Sequence, residues 1–143
     1  EPFNIWLVVG PLLGIEAILA LLWAFGAVPI AQKKFVFVSG PQRLAVNAVS
    51  GPVKIEIRDR KGRPWNIRGK VDVQLRSSSR GGRFDLSPAG SFDGSVTHTI
   101  VPRASTTVTF YYKDSRTGVA VITVQKALGI GWGRNSQSFT ITS

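Results

Sequence analysis

The residues able to do acid–base, nucleophilic or metal chemistry are few and scattered in this sequence. The single histidine, His98, stands in the run SVTHTI without a second imidazole, and the chain has no Cys to complete a metal site. No nucleophile and carboxylate are arranged with His98 as a catalytic triad requires. Glu56 and Asp59 come close together only at a predicted turn, which is not a paired-carboxylate site. We therefore predict a chain with no catalytic residue, no metal site and no cofactor.

Aromatic and basic residues on two predicted loops are the strongest candidates for a contact surface. The run GIGWGR at 129–134 is rich in glycine, but no helix follows it as a phosphate-binding loop requires, so we predict a long hairpin loop. Trp132 in this loop and Trp65 after the first turn could stack on a sugar or a base, with Arg134 beside them. Alternatively, both tryptophans cover the ends of the domain or pack against a neighbouring subunit.

Charge divides the chain into two parts. Residues 1–32 hold two charged groups, Glu1 and Glu16, and no basic residue, whereas all 18 Lys and Arg lie at or after Lys33 together with the other six acids. The second part is therefore strongly basic, which keeps a β-rich surface soluble or favours acidic partners such as glycans, lipid headgroups or nucleic acid. No nucleic-acid-binding motif accompanies the charge, so we expect nucleic acid least of these partners.

The N-terminal part is an apolar stretch that predicts a hydrophobic helix over residues 1–34. A helix through residues 3–31 rises about 1.5 Å per residue, enough to span a hydrocarbon core of about 30 Å. Gly10, Pro11 and Gly14 predict a kink or a locally melted turn. Glu16 is costly in lipid and requires a buried partner or a proton. An ordinary kinked transmembrane helix and a helix packed in an assembly both fit this pattern.

Short alternating apolar runs, separated by Gly, Pro, Asp and Ser, predict an antiparallel β-sandwich over residues 35–143. The clearest alternation is VKIEIR at 53–58, and it leads into a turn in which Gly62 is free to take a positive φ. The predicted strands are eight in number and cover residues 35–38, 43–49, 53–58, 70–76, 94–100, 106–113, 119–126 and 137–142.

Four stretches resemble the bacterial immunoglobulin-like domains of the invasin and intimin type. These are IEIRDRKGRP, VDVQLRSSS followed by GRF, TVTFYYKD, and GVAVITV, and the resemblance spans about 100 residues. It implies an immunoglobulin-like sandwich, an exported location and a non-enzymatic role in adhesins, surface-layer proteins or appendages. Such domains usually occur in arrays, whereas this sequence contains one.

The N-terminal part resembles type IV pilins in its architecture, with a processed N-terminus, an apolar helix weakened by Gly and Pro, and a β-rich head. Lys33 and Lys34 would place the sandwich in the cytoplasm by the positive-inside rule, and a cleaved basic leader before Glu1 would remove that conflict. In pilins an acid, usually the fifth residue, pairs with a neighbour's N-terminal amine. Here Ile5 occupies that position and the acids are Glu1 and Glu16, so the ion pair does not carry over.

These patterns lead us to expect a non-enzymatic structural subunit of an extracellular, pilin-like filament. Its partner would be itself, and it would be inserted in the membrane before assembly. The helix residues expected to act in the core of the assembly are Glu1, Gly10, Pro11, Gly14 and Glu16. The alternative is a bitopic, membrane-anchored accessory subunit or adhesin at the cell surface, whose basic face binds an acidic glycan or a membrane complex.

Overall fold

The computed structural model describes residues 33–67, 69–127 and 132–143, and all the regular elements in them are β-strands. Within these ranges the chain forms no helix with the length and hydropathy to cross a membrane. The predicted N-terminal helix and its five assembly residues, Glu1, Gly10, Pro11, Gly14 and Glu16, lie outside the described residues. The strands are β1 (Lys33–Phe37), β2 (Arg43–Ala45), β3 (Val53–Asp59), β4 (Val71–Ser77), β5 (Gly82–Asp85), β6 (His98–Val101), β7 (Thr107–Asp114), β8 (Gly118–Lys126), β9 (Trp132–Gly133) and β10 (Asn135–Thr142).

The described strands form two five-stranded sheets, with the orders β5-β7-β3-β1-β9 and β2-β10-β8-β4-β6. Neighbouring strands are antiparallel except for β1 with β9 and β2 with β10, which are parallel. The four strands β5-β7-β3-β1 match one sheet of an immunoglobulin sandwich, and β10-β8-β4 match the other. The described part of the chain is therefore all-β, as predicted, and its two sheets pack as a β-sandwich.

The core lies between the two sheets because each long strand alternates buried and exposed side chains. Val53, Ile55 and Ile57 of β3 are all buried, in the same core cluster as Ile122 and Val124 from β8 of the other sheet. The predicted alternation of β3 is thus confirmed. Burial of each such aliphatic side chain contributes about 1.5–3 kcal/mol.

Two of the predicted strands are longer than the observed ones. The strand predicted at 94–100 begins only at His98, because Gly94 takes a φ of 90° and the chain straightens later. The strand predicted at 43–49 ends at Ala45, because Asn47 takes a φ of 63°. The structure also contains β5 and β9, which were not predicted. Both are too short for a period-two pattern to identify them.

Candidate functional site: a basic and aromatic end of the sandwich

Three segments meet at one end of the β5-β7-β3-β1-β9 sheet. Strand β1 begins there at Lys33, and its antiparallel partner β3 ends there, with Lys33 opposite Asp59. The short strand β9 runs parallel to β1 and places Trp132 opposite Lys33. The turn between β3 and β4 leaves from the same end. The point at which the sandwich joins residues 1–32 therefore lies beside the turn and beside β9.

Asp59 organises the turn after β3. Its Oδ1 accepts hydrogen bonds from the backbone N–H groups of Lys61 at 2.9 Å and Arg63 at 3.0 Å, and its Oδ2 pairs with the guanidinium Nε of Arg63 at 3.0 Å. The backbone N–H of Arg63 is the largest cause that lowers the pKa of Asp59, and the Arg63 side chain and the N–H of Lys61 add to it. Gly62 has the positive φ, 85°, that was predicted for this turn.

Trp65 lies directly after this turn and stacks with the first residue of β1. Its backbone N–H donates to the carbonyl of Ile57 at 2.9 Å, which ties the backbone of Trp65 to β3. The Lys33 Nζ lies 3.9 Å from the centroid of the Trp65 ring, a cation–π contact. The Trp65 residue is still 39% exposed. Trp65, which was predicted as an exposed contact residue, is therefore partly open to solvent and carries the Lys33 ammonium over its ring.

A shallow depression of about 420 Å³ opens beside this stack. We call its cationic and aromatic lining the basal surface, and we include in it Lys34, which is exposed on the opposite face of β1 at the same end of the sheet. The basal surface consists of Lys33, Lys34, Arg60, Lys61, Arg63 and Trp65. Asp59 is the acid that lines the same depression, and its carboxylate is already occupied by Arg63. The basal surface thus offers an anion several cationic groups and one aromatic face.

Trp132 is placed differently from Trp65. It is partly buried against the core, with its ring centroid 5.4 Å from that of Phe35, and Lys126 Nζ lies 5.2 Å from its centroid. It belongs to β9 and not to the predicted hairpin loop. Arg134 follows it and is exposed at the rim of a second depression, of about 380 Å³, on the outer face of the other sheet. The two predicted contact residues Trp65 and Arg134 therefore do not line one depression.

A buried polar cluster at the opposite end of the sandwich was missed in the sequence analysis. The Tyr112 hydroxyl donates to Asp114 Oδ2 at 2.6 Å and lies 2.7 Å from the Ser77 Oγ. The Ser79 hydroxyl donates to Asp114 Oδ1 at 2.9 Å. Tyr112 and Asp114 are 0% and 1% exposed, so the pair ties the β4–β5 turn to β7 and no solute reaches it. An Asp two residues after a Tyr at the end of a strand was the signal in the sequence.

His98 lies on the outer face of β6. It is exposed on the same side as Ile100, whereas Thr99 and Val101 face inward. The His98 Nδ1 is 2.9 Å from the Thr97 hydroxyl. Within the described ranges, no group of three or more His, Asp or Glu side chains could hold a metal ion.

Comparison with known proteins gives similarities of fold. No protein-family model and no curated protein match the sequence. A structure of domains 4–9 of the surface layer protein SbsC is similar over part of its length, with 11% identity, a TM-score of 0.51, and coverage of 76% of this chain and 14% of that chain. Domains 4 and 5 of SbsC alone give a TM-score of 0.50 at 11% identity, covering 76% of this chain and 44% of that one.

An enzyme also contains a domain with this fold. A β-glycosidase from Bacteroides vulgatus gives a TM-score of 0.56 at 16% identity, with 79% of this chain and 14% of that chain covered. The chain spans less than half the length of each of these proteins. At such identities the similarity shows a shared architecture. The described part of the chain is thus a β-sandwich domain of the kind found both in a surface-layer protein and in a glycosidase.

Proposed function

We propose that this chain is a non-enzymatic structural subunit of the cell surface, held at a membrane by its apolar residues 1–32 and exposing the β-sandwich outside the cytoplasm. The observation that carries the proposal is the basal surface. A cationic and aromatic patch lies at the end of the sandwich that is covalently continuous with an apolar stretch free of Lys and Arg. Such an arrangement suits a module tethered at a membrane. The side of the membrane is proposed from the similarity to the S-layer protein, since Lys33 and Lys34 by themselves favour the cytoplasmic side.

The engagement of four of the described carboxylates, Asp59, Asp85, Asp93 and Asp114, supports a structural role. Asp85 accepts hydrogen bonds from the backbone N–H groups of Leu86 and Phe92, and Asp93 accepts from Ser95. Asp114 is sealed in the core. These carboxylates organise turns, as Asp59 does, and a glycosidase instead needs two acids that face one substrate. The similarity to SbsC supports a surface location, since that protein is an S-layer protein.

A filament subunit is the second candidate, and Glu16 favours it. A carboxylate in the middle of an apolar helix is costly in lipid, whereas packing among other helices can supply it with a hydrogen-bond donor. Gly10 and Pro11 also weaken a helix less when neighbouring helices satisfy the freed backbone groups. In this form residues 1–32 of many copies would make the core, and the sandwiches the outer layer.

One experiment tests both candidates. The protein is expressed from its own gene, and surface-sheared material and membranes are analysed separately. Negative-stain electron microscopy and mass spectrometry identify filaments, and flotation after alkaline carbonate washing identifies membrane-anchored protein. We expect the chain to float with the membranes after the wash and to be absent from filaments. Regular sheared filaments that contain the chain would overturn the anchored-subunit proposal in favour of the filament subunit. A chain that carbonate releases from membranes and that forms no filament would refute both.

A further inference from the structure

We infer that the basal surface docks on anionic lipid headgroups. The docking would hold the basal end of the sandwich against the membrane, so that the sandwich does not reorient freely about its connection to residues 1–32. This inference rests on the proposed function, because it requires residues 1–32 to be in the bilayer. It concerns six residues, Lys33, Lys34, Arg60, Lys61, Arg63 and Trp65.

The length of chain between the apolar stretch and the sandwich is the first argument. Ala31 is the last residue of the N-terminal apolar stretch. Gln32 follows it, and Lys33 is already the first residue of β1. One residue spans at most about 3.6 Å, so a bilayer that holds residues 3–31 keeps Lys33 within the headgroup layer or next to it. The attraction of a basic residue to an anionic surface acts over about a Debye length, roughly 10 Å. The short connection therefore keeps the basal surface within that range.

The free charge of the basal surface is the second argument. Lys34, Arg60 and Lys61 are exposed, and within the described ranges the ion pairs are those of Arg58 with Glu56 and of Arg63 with Asp59. Those three cations are therefore available to an external anion. Each Lys or Arg near an anionic membrane contributes a factor of about five in affinity. Three of them together correspond to about 100-fold.

The position of Trp65 is the third argument. Tryptophan is enriched at the interface between headgroups and hydrocarbon, where its ring is half in an apolar medium and its N–H remains wet. Trp65 presents a partly exposed ring at the same end as these cations, and Lys33 lies over it at 3.9 Å. A nucleic acid or a free glycan would gain the same charges, but neither is held by the covalent connection to an apolar stretch. The observations therefore favour lipid.

The chain contains no cysteine, which allows a label at one chosen site. Asn66→Cys, next to Trp65, labels the basal end, and Thr117→Cys, in the exposed turn between β7 and β8, labels the opposite end. Each full-length variant carries a fluorophore and is reconstituted in vesicles that contain a headgroup-attached quencher. The lipid is either phosphatidylcholine alone or phosphatidylcholine with phosphatidylglycerol. Flotation of the same vesicles reports anchoring independently of quenching.

We expect strong quenching at position 66 in the anionic vesicles, reversal by salt, and little quenching at position 117. The triple substitution Lys34→Gln, Arg60→Gln and Lys61→Gln should lower the docking equilibrium constant by about 100-fold. The matched substitutions Arg43→Gln, Arg80→Gln and Arg116→Gln, which remove three exposed charges from outside the basal surface, should lower it less than threefold. Circular dichroism and thermal melting verify that both triple variants are folded.

Two results for protein that is still anchored would overturn the docking inference and leave the proposed function intact. The first is equal quenching of the label at position 66 in neutral and anionic vesicles. The second is an equal docking equilibrium constant for the two triple variants. Protection of the label at 66 by an added acidic polysaccharide, without any effect of lipid charge, overturns it in favour of a glycan. Loss of flotation refutes the proposed function itself.

Discussion

The hydroxyl of Tyr112 donates a hydrogen bond to the carboxylate of Asp114 at 2.6 Å inside the sandwich, where both residues are at most 1% exposed. Successive inward positions of β7 thus hold the donor and the acceptor of one buried bond. Ser77 and Ser79, from the β4–β5 connection, complete the hydrogen bonding of this pair. The pair joins the two sheets at the end opposite the basal surface. Its removal should therefore lower the free energy of unfolding of the whole domain.

Tyr112→Phe should lower the free energy of unfolding by about 2 kcal/mol, because the hydrogen bond to Asp114 is lost and Asp114 Oδ2 stays buried without its donor. Urea denaturation of the purified protein measures this change. Tyr111→Phe is the matched control at the neighbouring, half-buried position, where the described residues offer the hydroxyl no hydrogen bond. We expect the control within about 0.5 kcal/mol of the parent. Equal effects of the two substitutions would contradict a role of the Tyr112–Asp114 bond.

The stability should fall at alkaline pH because of Tyr112. Burial, and then the hydrogen bond to Asp114, raise the pKa of Tyr112 above its ordinary value of about 10. The folded chain therefore keeps the phenol proton while the unfolded chain loses it, so this stabilisation is complete below pH 10 and declines as the pH rises further. Ultraviolet titration should show the tyrosinate signal of Tyr112 only on unfolding, and Tyr112→Phe should remove that signal. A tyrosinate at position 112 in a folded chain near pH 10 would disprove the assignment.

Gly82→Ala should destabilise the domain by about 1–3 kcal/mol, because overpacking forces neighbouring atoms to shift. A Cβ on Gly82 would overlap the Tyr112 hydroxyl and lie 2.7 Å from the Ser77 Oγ. Gly40→Ala is the control, since a Cβ there meets no atom within 4 Å. Thermal unfolding of the two variants gives the comparison. If Gly82→Ala is as stable as Gly40→Ala, β5 does not lie this close to Tyr112.

Acid should weaken the turn after β3. The pKa of Asp59 is lowered below 3.8, so its contribution to stability is present above that pH and is lost as the pH falls through the lowered value. The carboxyl resonances of Asp59, followed by NMR, should titrate below 3.8. Arg63→Gln should retain part of the lowering, because the backbone N–H of residue 63 is its largest cause. An Asp59 that titrates at its ordinary pKa would show that the turn is not closed by these bonds.

The contact between Lys33 and Trp65 should appear as a coupling energy. A double-mutant cycle with Lys33→Gln and Trp65→Leu, measured by urea denaturation, should give about 0.5–1 kcal/mol for an exposed cation–π pair. The same cycle with Lys34→Gln in place of Lys33→Gln should give a coupling near zero, because successive side chains of β1 point to opposite faces. Equal coupling energies for both lysines would indicate a nonspecific effect of removing a positive charge, and not a specific contact between Lys33 and Trp65.

The sequence by itself determined the class of fold, the alternation of β3 and the positive φ of Gly62, because each depends on residues next to one another in the chain. It also determined that charge and apolar character divide near Lys33. It could not determine β5 or β9, since two to four residues carry no readable period and form strands only beside β7 and β1.

Only the tertiary structure decided which distant residues meet. Lys33 stacks on Trp65 because β1 pairs with β3 in a register that places Lys33 opposite Asp59, where the turn leads to the tryptophan. Tyr112 and Asp114 meet Ser77 and Ser79 because β4 and β7, from different sheets, converge at the end opposite the basal surface. Registers between strands depend on the simultaneous burial of both sheets, and local alternation leaves them open. The sequence thus specified which faces are buried, and packing of the sheets specified the basal surface.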